Sequence, residues 1–207
     1  MKAEEGAKRI GLYGGTFDPI HLAHLLLAEE ARVELSLDRV VFIPAFQPPH
    51  KDQRADSADD RTKMLELAIQ SNPHFSIDYR EIDSEKMRYS VDTVREIRTD
   101  FPEMQIFFLM GSDSFLSIEK WHDWEDLLSL VCLAVCRRPG EDHKLEEKIR
   151  AFNERGFCVR KFGRFPIELS SSGLREYMEK GKSTRYLIPE AVREYILEKG
   201  LYGKKVE

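Results

Sequence analysis

Gly11-Leu12-Tyr13-Gly14-Gly15-Thr16-Phe17-Asp18-Pro19-Ile20-His21-Leu22-Ala23-His24 is the stretch on which the fold turns. It follows an extended-looking Arg9-Ile10 and runs into a long apolar-periodic segment, which reads as strand, glycine turn and helix. Gly14 and Gly15 carry no Cβ, so the backbone there is free to take positive φ and lie against a ligand. Asp18-Pro19 suits an N-cap followed by a first helical position, where the missing proline N–H would be unpaired anyway. A helix N-terminus offers free N–H groups and partial positive charge, which favour a phosphate. His21 and His24, three apart, share one helical face. A backbone cradle beside two imidazoles is suited to a polyphosphate. A His-x-x-His pair also ligates metals, but three or four ligands are needed and no neighbouring cluster supplies them. Neither the dinucleotide fingerprint G-x-G-x-x-G nor the P-loop G-x-x-x-x-G-K-[ST] occurs at this turn.

Outward from this turn, Leu22, Leu25, Leu26 and Val33 predict one buried helical face, ending near Leu37. Arg39 to Pro44 is a short apolar run of the kind buried on both faces of a parallel sheet. The loop from Ala45 to Ala58 carries Pro48-Pro49-His50-Lys51 at a strand's carboxyl end, the side on which open α/β sheets bind ligands. Its Lys51 and His50 either reach a phosphate or belong to a solvated surface loop. Ser57-x-x-Asp60 reads as a capping-box variant opening a helix through Met64, Leu65, Ala68 and Ile69. Phe75 to Tyr79 alternates like a strand, and Ser90 is placed as the N-cap of a helix burying Val94, Ile97 and Phe101.

Met104 to Met110 is the most apolar run and so a central strand, ending in the turn Gly111-Ser112-Asp113. Trp121 and Trp124, three apart, could both staple a helix to the sheet. Val131 to Cys136 is a further buried strand closing on Arg137, and Lys144 to Arg155 an outer helix with Leu145, Ile149 and Phe152 inward. A short strand at Phe157 to Val159 precedes a helix starting at Ser170-Ser171 and stopping at Gly181. Pro189 opens the last helix, with Val192, Tyr195 and Ile196 inward and Gly200 as C-cap. This alternation predicts a doubly wound, mainly parallel, Rossmann-like α/β sheet in one domain over 1–207, its core at about 9–203.

The 207 residues carry a net charge of −5, which argues against a general nucleic-acid binder; anionic substrates would need local positive sites. Met1 to Arg9 has no apolar signal region and no run reaches membrane-spanning length, so a cytoplasmic protein away from membranes is expected. Cys132, Cys136 and Cys158 are odd in number and lack C-x-x-C spacing, so neither a disulfide framework nor a zinc knuckle is expected. The even spacing of Cys132 and Cys136 puts both on one strand face, as core. A homo-oligomer is left open.

Four strand-end turns then carry the polar groups: Gly14 to His24, Pro49 to Lys51, Gly111 to Asp113, and Ser170 to Arg175. Gly14, Gly15, Thr16, Lys51, Gly111, Asp113, Arg137, Ser170 and Ser171 are the candidate nucleotide and phosphate residues. Asp113 at a strand end suits ribose hydroxyls. Ser170 and Ser171 have no histidine beside them, so N-capping and phosphate hydrogen bonding suit them better than nucleophilic attack. The chemistry implied is direct displacement at phosphorus, by alignment and charge neutralisation.

The run Gly14-Gly15-Thr16-Phe17-Asp18-Pro19-Ile20-His21-x-x-His24 resembles the signature of nucleotidylyltransferases with a Thr/His-x-Gly-His motif, Ala23 replacing the usual glycine. Leu169-Ser170-Ser171-Ser172-Gly173-Leu174-Arg175 is similar to that family's second motif, Ile-Ser-Ser-Thr/Ser-x-x-Arg. Phe42-Ile43-Pro44-Ala45, Pro48-Pro49-His50-Lys51, Tyr89-Ser90-Val91-Asp92-Thr93, Gly111-Ser112-Asp113-Ser114, Trp121…Trp124 and Leu201-Tyr202 extend the resemblance, toward bacterial nicotinate-mononucleotide adenylyltransferases. It implies ATP and nicotinate mononucleotide as substrates. His21, His24 and Arg175 would hold phosphates with Lys51 and Ser171 assisting, Gly111 and Asp113 the adenosine, and Ser90, Thr93 and Trp121 the nicotinate ring. It also implies Mg²⁺ bound through the ATP phosphates, with no protein metal ligands. Phosphopantetheine adenylyltransferases share the first and last motifs but lack the Pro-Pro-His-Lys and tryptophan segments. A non-catalytic nucleotide-binding regulator on the same fold is a rival of another class.

Overall fold

In the computed structural model, which describes residues 8–46, 57–84, 86, 88–137, 142–165 and 167–203, Arg9–Gly15 forms a central strand, β1. Its side chains divide between two cores, Ile10 and Leu12 facing one and Tyr13 the other. That is the period-2 signature of a strand covered on both faces. The chain continues through α1 (Leu22–Glu34), β2 (Arg39–Pro44), α2 (Ala58–Ile69), β3 (Phe75–Ile77), α3 (Arg80–Asp83) and α4 (Ser90–Asp100). Then come β4 (Gln105–Gly111), α5 (Ser112–Leu116), α6 (Trp124–Leu130), β5 (Cys132–Cys136), α7 (Asp142–Glu154) and β6 (Cys158–Phe162). Helices α8 (Ser171–Glu179) and α9 (Glu190–Lys199) complete it.

The sheet order is β3-β2-β1-β4-β5-β6, and every neighbouring pair is parallel. The chain winds outward from β1 to β3, then restarts beside β1 with β4, so the strand order reverses between β1 and β4. In such sheets the crevice at the carboxyl ends of the two strands flanking the reversal is where ligands bind. Residues of α1, α2, α8 and α9 pack one sheet face; those of α4 to α7 pack the other. The α/β architecture is therefore as the sequence predicts, with the sheet wholly rather than mainly parallel.

Local expectations fare unevenly. Neither Gly14 nor Gly15 has a positive φ; both are strand residues, in register with Ile43 and Pro44. The turn is made instead by Thr16 to Ile20, with Phe17 in the left-handed region at φ 50° and a cis Asp18–Pro19 peptide. The helix accordingly begins at Leu22 with His21 as N-cap, not at Asp18-Pro19. Its buried residues are Ala28 and Ala31, whereas Val33 is 59% exposed, because the helix lies against the sheet through small side chains. Phe101 is likewise exposed, standing at the C-cap just past the last buried turn of α4. Tyr89, not Ser90, is that helix's N-cap. Ser57 does cap α2, its Oγ accepting the Asp60 N–H at 3.1 Å, and Gly200 caps α9 at φ 66°.

The cysteines depart furthest. Cys132 and Cys158 form a disulfide, because β5 and β6 lie side by side with those two residues in register. Sequence spacing is blind to such a pair, which depends only on strand neighbourhood. Cys136 stays a thiol on the same face as Cys132, half-buried rather than fully in the core.

Candidate active site

At the carboxyl ends of β1 and β4 lies a cavity of about 360 Å³, within the roughly 300–1,000 Å³ usual for ligand sites. Its floor is Gly14 and Gly111, one from each strand flanking the switch point. His21 and His24 form one wall, stacked with ring centroids 3.6 Å apart and planes 18° off parallel. The His21 backbone N–H donates to His24 Nδ1 at 3.3 Å. A ring nitrogen that accepts carries no proton, so the proton of neutral His24 is on Nε2. Phe17 fixes the ring from the side, edge-on at 5.3 Å.

The start of α8 also lines the cavity. Ser170 Oγ accepts the Gly173 N–H at 3.1 Å, the N-cap bond that the sequence predicts. Ser171 donates its hydroxyl to the Pro19 carbonyl at 3.0 Å, so that proton is already committed within the protein. Arg175 Nη1 donates to the Asp18 carbonyl at 2.5 Å and lies 3.4 Å from Asp18 Oδ2. These bonds fasten α8 to the turn after β1, joining two motifs some 150 residues apart in sequence.

Of the expected site residues, Gly14, His21, His24, Gly111, Asp113, Trp121, Arg137, Ser170 and Ser171 line this one cavity. Gly15, Thr16, Ser90, Thr93 and Arg175 do not line it, and Lys51, with Pro48 to His50, lies outside the described residues. Gly15 has another use: a Cβ there would stand 2.9 Å from the Phe17 ring. Thr93 is 1% exposed and donates its hydroxyl to Glu81 Oε1 at 2.7 Å, so it faces α3. Burial pushes the Glu81 carboxyl above its usual range, with the Thr93 hydrogen bond and the Arg88 charge partly offsetting it.

The tryptophans separate as well. Trp121 sits on the cavity wall, edge-on to Phe108 at 6.2 Å. Trp124 packs away from it on Phe152 and Phe157 at 5.6 and 5.9 Å, with the Arg155 guanidinium 5.1 Å from its ring centre. The Tyr89 and His122 rings meet at 4.2 Å, tying the start of α4 to the Trp121 segment.

Two supporting roles escape the sequence reading. Arg61, 1% exposed, donates to the Thr16 carbonyl at 2.7 Å and the Phe46 carbonyl at 2.9 Å, bracing the first turn and the start of the loop after β2. Its signal was a charge on the inner stripe of α2 beside Met64 and Leu65, where solvent cannot be its partner. Tyr202 donates its hydroxyl to Asp18 Oδ1 at 2.6 Å, a contact across 184 residues that no local pattern reveals.

Comparison with known proteins follows the same lines. A family model described as cytidylyltransferase-like matches residues 12–177. A protein of Desulfitobacterium hafniense named "Probable nicotinate-nucleotide adenylyltransferase" is 41% identical over 205 residues, covering 98% of this chain and 99% of its own. A protein of Herpetosiphon aurantiacus with the same name is 40% identical over 195 residues, covering 94% and 98%. Among solved structures, the nicotinic acid mononucleotide adenylyltransferase of Plasmodium falciparum complexed with NaAD superposes with a TM-score of 0.78. It is 19% identical, with 94% of this chain and 97% of that one covered, a likeness of fold.

Proposed function

The chain belongs to the cytidylyltransferase-like family, and within it we propose that this protein transfers the adenylyl group of ATP to nicotinate mononucleotide in NAD biosynthesis. The products are nicotinate adenine dinucleotide and pyrophosphate. One observation carries the reading: stacked histidines, a capped helix start and a tryptophan surround a single cavity at the β1/β4 switch point.

An oxygen of the mononucleotide phosphate attacks the α-phosphorus of ATP. The new P–O bond forms as the bond from α-phosphorus to the bridging oxygen breaks, and pyrophosphate leaves with the electron pair. No protein nucleophile is required. The chain's work is to align the two phosphates and neutralise the charge that spreads over the reacting oxygens. His21, His24 with Nε2 as donor, Arg137 and the residues opening α8 all border the cavity and would neutralise that charge. By the second motif Arg175 would serve the leaving phosphates, although it stands just outside the cavity lining with its Nη1 on the Asp18 carbonyl. Asp113, exposed on the cavity lining at the start of α5, would take the ribose hydroxyls.

No group of three or more His, Cys, Asp or Glu side chains among the described residues could hold a metal ion. Donor groups dominate the phosphate walls, and such walls fit a Mg²⁺ that arrives on the ATP phosphates with its waters. That ion would draw negative charge from the phosphate oxygens.

Nicotinate differs from nicotinamide by a carboxylate in place of an amide. Trp121 lines the cavity, and the amides of Ser90 and Val91 precede the first ladder bonds of α4, those of Asp92 and Thr93 to the Tyr89 carbonyl. Asp92, whose charge would repel a carboxylate, is engaged by Arg95 at 3.1 Å on an exposed face. Donors alone suit the carboxylate, and facing them with an amide NH₂ costs on the order of 1–3 kcal/mol. Pyrophosphate release with ATP, Mg²⁺ and each of nicotinate mononucleotide, nicotinamide mononucleotide and phosphopantetheine tests the assignment. The nicotinate form should lead by at least about tenfold in kcat/KM; turnover of phosphopantetheine alone would overturn the proposal.

A further inference from the structure

Asp18 is 4% exposed, yet it carries a carboxylate beside the phosphate-binding turn. A buried carboxylate must be hydrogen-bonded or paired. Its Oδ1 takes the Tyr202 hydroxyl at 2.6 Å; its Oδ2 is 3.4 Å from Arg175 Nη1. The second distance is too long for a closed charge-assisted bond, which is about 2.7–2.9 Å. Arg175 Nη1 instead closes on the Asp18 carbonyl. A lone carboxylate this close to a guanidinium would ordinarily turn and grip it through both oxygens. The tyrosine hydroxyl bonded to Oδ1 fixes the rotation of the carboxylate, and in that orientation Oδ2 stands off Arg175 at 3.4 Å and the fork does not close.

The chain takes trouble to put that hydroxyl there. Gly200 ends α9 in the left-handed conformation, and the Leu201 N–H closes on the Ile196 carbonyl at 3.0 Å. Tyr202 itself has φ 59°, a left-handed conformation that a non-glycine residue keeps only where its surroundings enforce it. Gly203, at φ 117°, lies against the backbone of Glu179 at the end of α8, where a Cβ would come within 3.2 Å of the Glu179 Cα. The segment after α9 thus presses on the helix that carries Arg175.

From this arrangement we infer that Tyr202 is a positioning residue for the triphosphate: by fixing the orientation of the Asp18 carboxylate, it keeps the Arg175 guanidinium from being forked by both carboxylate oxygens and leaves its remaining N–H groups for ATP. The inference rests on the phosphate role proposed for Arg175. Tyr202 touches neither phosphate nor reacting atoms; it acts through Asp18.

A double-mutant cycle of Tyr202→Phe and Arg175→Lys tests it. Tyr202→Phe keeps the packed ring and removes only the hydroxyl. Losing a hydrogen bond to a charged group should raise KM for ATP roughly tenfold. KM for the mononucleotide and kcat should stay within about twofold of their starting values. In the Arg175→Lys background the same change should add almost nothing, since the group it positions is gone. Asp18→Asn, which weakens the competing grip, should restore part of the ATP affinity lost in Tyr202→Phe. An unchanged KM for ATP in Tyr202→Phe, while Arg175→Lys raises it, would overturn the inference and leave the phosphate role standing. Additive effects in the double variant would overturn it equally, as would parallel losses in both KM values and the melting temperature. Normal ATP affinity in Arg175→Lys would instead remove the phosphate role itself, and the inference with it.

Discussion

Adjacent glycines at the end of β1 should respond to the same substitution in opposite ways. A Cβ on Gly14 would meet only the Phe108 ring tip at 3.8 Å, an ordinary contact, and it would stand at the cavity floor. A Cβ on Gly15 would stand 2.9 Å from Phe17 Cζ and 3.0 Å from Cε1, distances that cannot persist. Phe17 is 2% exposed and held edge-on by Tyr13, His24 and Phe42, so its ring has nowhere free to move. Neither glycine has the positive φ that would strain an alanine. Gly14→Ala therefore gains the about 0.4–1 kcal/mol of reduced unfolded-chain entropy and little else, leaving stability equal or slightly higher. Its methyl group nevertheless occupies nucleotide space, and a 1 Å displacement of bound phosphates costs about a hundredfold in rate. Gly15→Ala suffers the overpacking penalty of about 1–3 kcal/mol against that same entropic gain, for a net loss of about 1.3 kcal/mol at the midpoints of the two ranges. It also shifts the ring that orients His24. Urea unfolding and steady-state kinetics on both variants decide the matter. A Gly14→Ala enzyme with normal kcat/KM, or a Gly15→Ala protein with normal stability, would refute the division of roles.

Other outcomes follow from the same geometry. Burial raises the Glu81 carboxyl, so its contribution to folding is fully present below the unfolded carboxyl range, about pH 4, and is lost as pH rises through the folded value. Glu81→Gln should then have a higher urea midpoint than the parent at pH 7.5, the gap closing toward pH 4; a lower midpoint at pH 7.5 would contradict this. The Tyr195 hydroxyl donates to Asp60 at 2.7 Å, and that bond, ahead of the Ser57 hydroxyl, lowers the Asp60 carboxyl while it helps push the Tyr195 phenol up to about 12. Tyr195→Phe should cost about 1 kcal/mol, the pair being largely solvated. A lowered carboxyl stabilises above its unfolded value and loses that effect as pH falls through the folded one. The cost should therefore begin to shrink as pH falls below about 3.9 and vanish once it has passed below the lowered folded value, as acid melts would show. Trp121→Ala should raise KM for the pyridine mononucleotide with little change in stability. Trp124→Ala should destabilise by about 2–3 kcal/mol, less than the roughly 3–5 of a fully buried ring, because Trp124 is only half-buried. The reverse pattern in melts and kinetics would show that the two rings have been misassigned.

Periodicity by itself determined the succession of the longer elements, though not the four-residue α3, because apolar alternation and helical spacing are local consequences of which faces must leave water. Leu145, Ile149 and Phe152 on α7, the Ser57 and Ser170 caps and the Gly200 stop are all written within a few residues of where they act. The two motifs likewise named His21, His24, Ser170 and Ser171, which do meet at one cavity. Tertiary structure decided whatever depends on neighbours distant in the chain. Gly15 is small because the Phe17 ring folds back over it, and Thr93 faces Glu81 rather than the cavity. Cys132 finds Cys158 only because β6 lies beside β5. Buried Arg61 and Asp18 are tolerable only because carbonyls, a hydroxyl and a guanidinium from separate elements converge on them. Such convergence is fixed by packing, since a desolvated charge selects the arrangement that surrounds it with partners and leaves no periodic trace in the chain.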